Sequence, residues 1–414
     1  MKKIRTLPRA NIYVSFSDLV HVFFKILTGR LSKTEKVKEF EFAFGKYYGR
    51  EALALPHARI ALYYILKNLN LPEKSEVIMT PVTIADMVNM IHLQGLNPVF
   101  CDLGKLTYNI DYEELEKKIT GNTKALFITH LNGFATDMDR VLDIVSRHNL
   151  ILIEDCSQVF GAKFKGKYLG TFGHAAIFSL SLLKTCSTLF GGMIISDNAE
   201  LLKKIKNDTK DFPLPSKTIL LSSVFKNMII SMAFNRKFFG ALTYQLIRLM
   251  SVKIDKFMAC NPKIPLRTCL DAEMLTSYTD IQAEMGLKKL KTVDAEDEKR
   301  IKTAKVLLDK VSPGVKAYLP KLPKDAKNVY WRIPLRVKDP KHFLKYMINR
   351  GIDTFRTNLV LCSQEYDKYR TDTPEAFLSK FNSVFIPIHS DFKEDDMIYV
   401  AEVLNDYEKS GFLS

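Results

Sequence analysis

The chain has 414 residues, which is too long for one small core and fits a large domain plus a smaller one. Its composition, 47% hydrophobic and 26% charged, is typical of a soluble globular protein. The formal net charge of +15 suits a partner that is nucleic acid, an anionic membrane surface or a phosphate-bearing substrate. The sequence has no helix-turn-helix pattern and no platform of interleaved basic and aromatic residues, so we exclude nucleic acid.

The six cysteines, at positions 101, 156, 186, 260, 269 and 362, are scattered and form no CxxC pair. This spacing suits neither a disulfide framework nor a metal site, and it predicts reduced thiols in the cytoplasm. The amino terminus begins basic, but Asp18, His21 and Lys25 interrupt the apolar stretch that a signal peptide would need. We therefore expect a cytoplasmic protein without a bound metal.

Residues 1–50 predict an amino-terminal arm followed by one or two amphipathic helices. From 51 to 205, the predicted large domain, short apolar runs alternate with helical segments. The runs are 76–79, 98–102, 125–129, 150–155 and 192–196, and the helical segments include 111–119 and 138–148. Most runs contain β-branched residues, as buried strands of a mainly parallel sheet do. This alternation predicts an α/β domain with helices on both faces of the sheet.

Residues 206–265 form an apolar, basic insertion in which 218–260 contains no acidic residue before Asp255. Lys226, Lys237 and Arg248 follow one another at intervals of eleven residues, which is about three turns of a continuous helix. On such a helix the three cations would lie nearly in line, unless Gly240 breaks it. A basic band beside an apolar face is typical of an interfacial helix at an anionic membrane. The alternative is an amphipathic hairpin that packs on the protein.

Residues 266–414 predict a charged connecting helix at 294–311 and a small carboxy-terminal domain. The remaining segments, 329–337, 342–350, 384–387 and 394–407, have a β-α-β-α pattern.

Two residues indicate chemistry. Asp155 follows a buried run, where a carboxylate either caps a helix or meets a cation. Lys184 stands among apolar residues, and such a lysine either extends to the surface or is kept neutral or joined to a carbonyl as a Schiff base. Gly191 and Gly192 let the backbone pass close to a bulky ligand. The order of these features indicates a cofactor site more strongly than any one of them.

The chain resembles the DegT/DnrJ/StrS group of pyridoxal-phosphate (PLP) aminotransferases over roughly 40–205 and 270–408. The matching stretches are 58–62 (Ala-Arg-Ile-Ala-Leu), 98–102, 109–111, 130–133 (His-Leu-Asn-Gly), 154–158 (Glu-Asp-Cys-Ser-Gln), 161–162, 170–184, 191–192, 280–283 and 386–389 (Ile-Pro-Ile-His). The resemblance implies fold type I: a large domain with a mainly parallel seven-stranded sheet between helices, and a small carboxy-terminal α/β domain. It also implies a homodimer.

The resemblance assigns roles to six residues. Lys184 stands at the Schiff-base position, and Asp155 stands where a carboxylate pairs with the pyridine nitrogen of PLP. Gln158 matches a position near the phenolic oxygen of the ring. Ser179 matches a phosphate-binding hydroxyl, and the turn at Ala58-Arg59 matches a phosphate cradle in which Arg59 adds a charged contact.

The sequence departs from the family pattern at three places. The position that usually carries an aromatic residue over the PLP ring is Ile84. The asparagine that usually reaches the phosphate in the neighbouring subunit falls near Leu275-Thr276. The segment at 206–265 is longer and more apolar than the usual family linker.

We therefore expect an aminotransferase that moves an amino group, from glutamate, to a keto group on a sugar nucleotide. One alternative acceptor is a lipid or lipid-linked keto substrate met at the membrane surface. Another hypothesis is a dehydratase with the same cofactor, but the known sugar dehydratases of this family have His where Lys184 stands. A third is a non-catalytic regulatory protein, against which the retention of Lys184, Asp155 and Gln158 speaks.

Overall fold

The computed structural model of the protein describes residues 5–249 and 265–413. Its main sheet has seven strands in the order β1-β10-β9-β6-β5-β2-β4. These strands are β1 (Glu51–Leu55), β2 (Glu76–Met79), β4 (Asn97–Phe100), β5 (Thr123–Thr129), β6 (Ile151–Asp155), β9 (Ala175–Ser179) and β10 (Gly192–Ser196); β3 is the short strand Val82–Thr83, and β7 and β8 are Lys163–Phe164 and Lys167–Tyr168. Only β10 runs antiparallel to its neighbours β1 and β9. The predicted mainly parallel seven-stranded sheet is confirmed.

The predicted strands agree with the structure to within a few residues. β2 and β10 have the predicted bounds, whereas β4 ends two residues before Asp102. The carboxylate of Asp102 instead accepts hydrogen bonds from the backbone N–H groups of Glu375 and Ala376, at 2.9 and 2.8 Å. Two strands, β1 and β9, were not predicted as separate runs.

Helices cover both faces of the sheet. The helices of this part of the chain are α1 (Phe16–Thr28), α2 (Glu35–Tyr48), α3 (Ala58–Leu69), α4 (Ala85–His92), α5 (Tyr112–Lys118), α6 (Met138–Arg147), α7 (Ala199–Thr209) and α8 (Lys217–Phe234), of which α1 and α8 pack against each other in a separate cluster. Alternate residues of one strand point to opposite faces, so Ile78 of β2 lies in the core under α2 and α6, while Val77 and Met79 lie in the core under α3, α4 and α7. The predicted two-faced α/β domain is confirmed.

A third core holds the carboxy-terminal part together. It lies between the antiparallel strands β12 (Ile333–Arg336) and β14 (Ser383–Ile386) and the helices Val293–Lys310, Pro340–Ile348 and Glu394–Lys409. The other carboxy-terminal elements are β11 (Ala326–Lys327), β13 (Val360–Leu361) and the helices Ala272–Met274, Asp280–Leu290, Pro313–Lys316, Cys362–Glu365, Asp367–Tyr369 and Pro374–Phe381. The predicted small α/β unit is present.

The amino-terminal arm packs on this small unit of its own chain. Leu7 is fully buried in the third core, and its backbone N–H donates to the carbonyl of Gly351 at 2.8 Å. The guanidinium of Arg9 makes a two-point ion pair with the carboxylate of Asp353, at 2.6 and 2.8 Å. The arm is therefore held against the small unit of its own chain.

The insertion is helical but not one continuous helix. α8 ends at Asn235, whose side-chain oxygen accepts a hydrogen bond from the N–H of Lys237 and so starts the next short helix, Arg236–Phe238. A π-helical turn, Phe239–Thr243, and a helical segment at 244–249 follow. The predicted alignment of Lys226, Lys237 and Arg248 on one helix is wrong, because the chain turns at Asn235. Residues 250–264 of the predicted insertion lie outside the described residues.

α8 is apolar around most of its circumference. Leu220, Val224 and Asn227 are buried against α1 and its surroundings, whereas most of the other apolar residues are partly or fully exposed. Within residues 5–249 and 265–413, α8 is the one helix whose length and composition would allow it to cross a membrane, a test that core helices of soluble proteins also pass.

Candidate functional site

The carboxyl ends of neighbouring strands bring the predicted site residues together. Asp155 is the last residue of β6 and lies in register with Thr129, the last residue of β5. Ser179 ends β9, the next strand on the other side. Because parallel strands end at the same edge of a sheet, residues distant in sequence meet there.

Lys184 follows β9 in a turn that folds back over this edge. Its side chain lines a small cavity together with those of Gln158 and Ser179. The ammonium nitrogen Nζ lies 4.2 Å from the ring centre of Trp331. Burial and, to a smaller extent, the positive charge of Arg332 lower the pKa of Lys184 to about 7, while the carboxylate of Asp155 acts against both. The side chain points into the site, so the interpretation of a lysine extending to the surface is wrong.

Asp155 is buried at 3% exposure, and no helix follows it. Its Oδ1 accepts a hydrogen bond from the N–H of Ser157 at 2.9 Å. Burial raises the pKa of Asp155, while the charges of Lys184 and His130 lower it. The helix-cap interpretation of Asp155 is therefore wrong. The alternative, a buried carboxylate that meets a cation, agrees with the position of Lys184.

The side chain of Gln158 is oriented by the turn after β5. Its amide oxygen accepts a hydrogen bond from the N–H of Asn132 at 2.8 Å, which leaves its NH₂ group as the donor.

A buried pair behind Asp155 supports the edge. His130 Nε2 lies 3.1 Å from the carboxylate of Glu154, and His130 Nδ1 lies 2.8 Å from the Thr136 hydroxyl. Glu154 also accepts from the backbone N–H groups of Gly170 and Gly173, each at 2.7 Å. The turn at 170–173, which contains Gly170 and Gly173, therefore binds the buried carboxylate of Glu154. The side chains of His130, Glu154 and Cys156 place potential metal-ligand atoms within 4.8 Å of one another. The imidazole of His130 and the carboxylate of Glu154 are, however, already hydrogen-bonded within the protein.

The amino terminus of α3 reaches the same edge. Leu55, Gly192 and Ser179 lie side by side in the register of β1, β10 and β9. A Cβ on Gly192 would lie 2.4 Å from the carbonyl carbon of His57 and 2.5 Å from the N of Ala58, so only glycine allows α3 to begin here. No side chain caps this helix, and its first N–H groups, with the hydroxyls of Ser179 and Ser181 3.0 Å apart, form a site suited to an anion.

The guanidinium of Arg59 makes an ion pair with Asp86 of α4, and Arg267 pairs with the other carboxylate oxygen of Asp86 at 2.9 Å. The backbone of Ala58-Arg59 lies at the predicted cradle, but the charged contact predicted for the Arg59 side chain is directed to Asp86 in this structure. Ile84 is partly buried immediately before α4.

Further polar groups at this edge face no protein partner. The hydroxyls of Thr80 and Thr129 are buried and have no hydrogen-bond partner among the described residues. Buried hydroxyls are seldom left unpaired, so they indicate a polar ligand. Together with an amine of lowered pKa, a buried carboxylate and an uncapped helix terminus, these groups fit PLP, which has a phosphate, a ring nitrogen and an aldehyde.

A second cavity, of about 190 Å³, adjoins the lysine and was not predicted. Trp331 and Arg332 lie on its wall, with Leu183 from the lysine turn. Ile230 and Phe234 of α8 also line it. The sequence offered one signal for this site, the single tryptophan of the chain followed by an arginine at the start of a predicted strand.

The fold and this sheet edge are those of a PLP-dependent transferase of fold type I. The model of the DegT/DnrJ/EryC1/StrS aminotransferase family matches residues 25–405, and the chain belongs to this family. It is a PLP-dependent transaminase.

Relatives extend over most of the chain. It is 29% identical over 382 residues to the uncharacterized protein MJ1066 of Methanocaldococcus jannaschii, and this alignment covers 89% of each chain. It is 36% identical over 171 residues to GDP-perosamine synthase of Escherichia coli O157:H7, covering 41% of this chain and 47% of the relative. The solved structure of the sugar aminotransferase CalS13 from Micromonospora echinospora superposes with a TM-score of 0.73 at 20% identity, over 97% of this chain and all of the other, and shows the shared fold.

Proposed function

We propose that this transaminase moves an amino group from glutamate to a keto group on a sugar nucleotide. The observation that carries the proposal is the amine of Lys184, enclosed beside Asp155, in a small cavity that shares Trp331 with a neighbouring cavity whose wall includes Arg332. The similarity to GDP-perosamine synthase, an enzyme named for a nucleotide-linked sugar, supports this acceptor. The charge of +15 favours a substrate that carries phosphates.

In this proposal, the residues divide the work at the sheet edge. PLP supplies an electron sink for the carbon that loses its proton. Lys184 would hold the cofactor and would move the proton through Nζ, whose pKa, lowered to about 7, favours the neutral amine. Asp155 would keep the ring nitrogen protonated, and the NH₂ group of Gln158 would donate to the phenolic oxygen. Ser179 and the N–H groups of Ala58 and Arg59 would bind the phosphate.

The experiment is a panel of keto acceptors offered to the purified, cofactor-loaded enzyme with glutamate. We expect an aminated product from one or more keto-sugar nucleotides, detected by mass spectrometry together with 2-oxoglutarate. Formation of 2-oxoglutarate without amination of any sugar nucleotide would reject this acceptor class and leave the transaminase chemistry standing. The products of a dehydratase would differ, because they lose oxygen from the sugar without gaining nitrogen.

A second candidate acceptor is a keto substrate that carries a lipid. One observation favours it: Ile230 and Phe234 line the substrate cavity, while their neighbours Ile229 and Met232 are exposed on the outer side of α8. The panel therefore includes a keto sugar linked to a lipid through phosphate, and its amination in preference to the nucleotides would select this candidate.

We infer that the enzyme is a homodimer in the cytoplasm. What supports a second copy is an open cavity of about 570 Å³ between α1 and the helix Asp280–Leu290, reaching Ser187 in the turn after Lys184. The hydroxyl of Ser187 is buried and has no partner among the described residues. A partner subunit seated here would lie next to the loop that carries Lys184.

We propose that the outer side of α8 rests on an anionic membrane. Phe225, Ile229 and Met232 are 59%, 52% and 46% exposed there, and Phe24 of the packed helix α1 is 58% exposed. Lys226, close to these residues, makes no ion pair with any residue in the described parts of the chain. Residues 217–249 contain no acid. Two copies of such a face would bring like charges together, whereas acidic headgroups complement it.

A further inference from the structure

We propose that Arg332 binds an anionic group of a substrate, a carboxylate or a phosphate, inside the cavity next to Lys184. This inference rests on the proposed function and assigns a specificity residue to it.

The guanidinium of Arg332 lies against aromatic rings and has no anionic partner among residues 5–249 and 265–413. Its central carbon lies 4.0 Å from the ring centre of Trp331, 4.8 Å from that of Phe355 and 5.5 Å from that of Phe385. No hydrogen bond or ion pair joins its side chain to the part of the chain that the structure describes. Taking a cation out of water without an acceptor is costly, so its position indicates a missing anion.

Other enclosed arginines of the chain have acceptors. Arg300, which is fully buried, donates to Asp297 and to the carbonyl of Val329, both at 2.6 Å. Arg336, four residues beyond Arg332, donates to Glu375 at 2.7 Å. Arg332 differs from them because the surface that it faces is a cavity, and not a protein carboxylate.

The backbone of Arg332 is fixed relative to the lysine. Its N–H donates to the carbonyl of Asn132 at 3.0 Å, and the indole N–H of Trp331 donates to the carbonyl of Leu183 at 3.0 Å. Gly133 adopts a φ of +87°, and a Cβ there would lie 2.2 Å from the N of Trp331. The segment around Trp331 is thus wedged between the turn at 132–133 and the lysine turn, which sets the distance between an anion on Arg332 and Nζ of Lys184.

The chemistry of the ligand follows from the geometry of the side chain. A guanidinium stacked on aromatic rings keeps its edge free, and this edge donates two parallel hydrogen bonds to a carboxylate or a phosphate. Two substrates of the proposed reaction carry such groups: glutamate has two carboxylates, and a sugar nucleotide has a diphosphate. Both could use one arginine because the two half-reactions occupy the site in turn.

The test measures binding of two unreactive anions to the cofactor-loaded enzyme. Glutarate represents the amino donor and UDP represents the diphosphate of the acceptor. Dissociation constants come from calorimetry, and quenching of Trp331, the only tryptophan in the chain, reports whether the anion binds beside Arg332. The variants are Arg332→Gln and Arg332→Lys. The matched control is Arg140→Gln, which removes an arginine that also stacks on an aromatic ring, Tyr112, at a position distant in sequence from Arg332.

We expect Arg332→Gln to weaken binding of at least one anion by about tenfold or more, with Arg332→Lys intermediate and Arg140→Gln unchanged. Loss of glutarate binding alone identifies the donor carboxylate, and loss of UDP binding alone identifies the diphosphate. If the wild type binds neither anion, or if both Arg332 variants bind as the wild type does, the inference is wrong. A variant that binds normally while the enzyme aminates sugar nucleotides would overturn only the role of Arg332.

Discussion

At the scale of single residues, Lys184 is the most specific prediction. Lys184→Ala removes the only lysine of the proposed cofactor pocket, so we expect loss of the visible absorbance of the bound cofactor and of transamination. The side chain makes no hydrogen bond in the described structure, so the circular dichroism spectrum should be retained. Lys167→Ala, an exposed lysine over Phe172, serves as control. Substantial turnover by Lys184→Ala with added PLP would reject the assignment.

The pH dependence of the proton transfer follows from the same lysine. Its pKa is lowered to about 7 by burial and then by the charge of Arg332, so the neutral amine that acts as base predominates above that pH. We expect the rate of the half-reaction with glutamate to fall as the pH drops below about 7. Arg332→Gln removes the neighbouring positive charge, which should move this limb to higher pH. An unchanged limb in a folded variant would show that Arg332 does not act on the amine.

Asp155 tests the electrostatics of the pocket. Asp155→Asn keeps the shape and removes the charge that would hold the ring nitrogen protonated, and we expect the half-reaction to slow by about 10²–10³-fold. Asp143→Asn, on the exposed side of α6, should react at the normal rate. A near-normal rate for Asp155→Asn in stopped-flow measurements would mean that the carboxylate only orders the turn to Ser157.

At the scale of elements, the strand ends could be predicted better than the helix of the insertion. The strands of a sheet that helices cover on both faces are short apolar runs, often with β-branched residues, so β2 and β10 stand out in the sequence. β1 and β9 contain alanines, whose propensity for strands is weak, and their pairing with β10 places them in the sheet. α8 lacks a single apolar face, and the turn at Asn235, whose side chain caps the next helix, is not shown by periodicity.

The exposed side of α8 carries the prediction at this scale. We expect the triple variant Phe225→Gln, Ile229→Gln, Met232→Gln to bind vesicles containing anionic lipid several-fold more weakly than the wild type, since these side chains are exposed and apolar. The matched control is Phe377→Gln, Leu378→Gln, Phe381→Gln, which removes three residues of about 40% exposure from another helix. Co-sedimentation measures both. Equal binding by the two triple variants and the wild type would remove the membrane proposal.

At the scale of the whole molecule, the prediction is a dimer. Light scattering of the wild type should give about twice the chain mass of 47.4 kDa at micromolar concentration. Glu284→Lys reverses a charge at the cavity between α1 and the helix Asp280–Leu290, and it should shift the population towards the monomer. A fully active wild-type monomer would contradict the prediction. The α8 triple variant, measured without detergent, tests whether association occurs through α8. We expect this variant to dimerise as the wild type does.

The sequence by itself determined the class of fold and the pocket residues from Asp155 to Lys184. Asp155 ends β6 and Ser179 ends β9, so the parallel pairing of these two strands places both residues at one sheet edge, and Lys184 lies in the turn that follows. Only the tertiary structure decided what stands opposite them. Trp331 contacts the lysine turn across 148 residues of chain, and Arg332 is left without a carboxylate there. Such pairings depend on how the arm, the insertion and the carboxy-terminal unit pack together, because burial and the partner of a charge are properties of the assembled molecule.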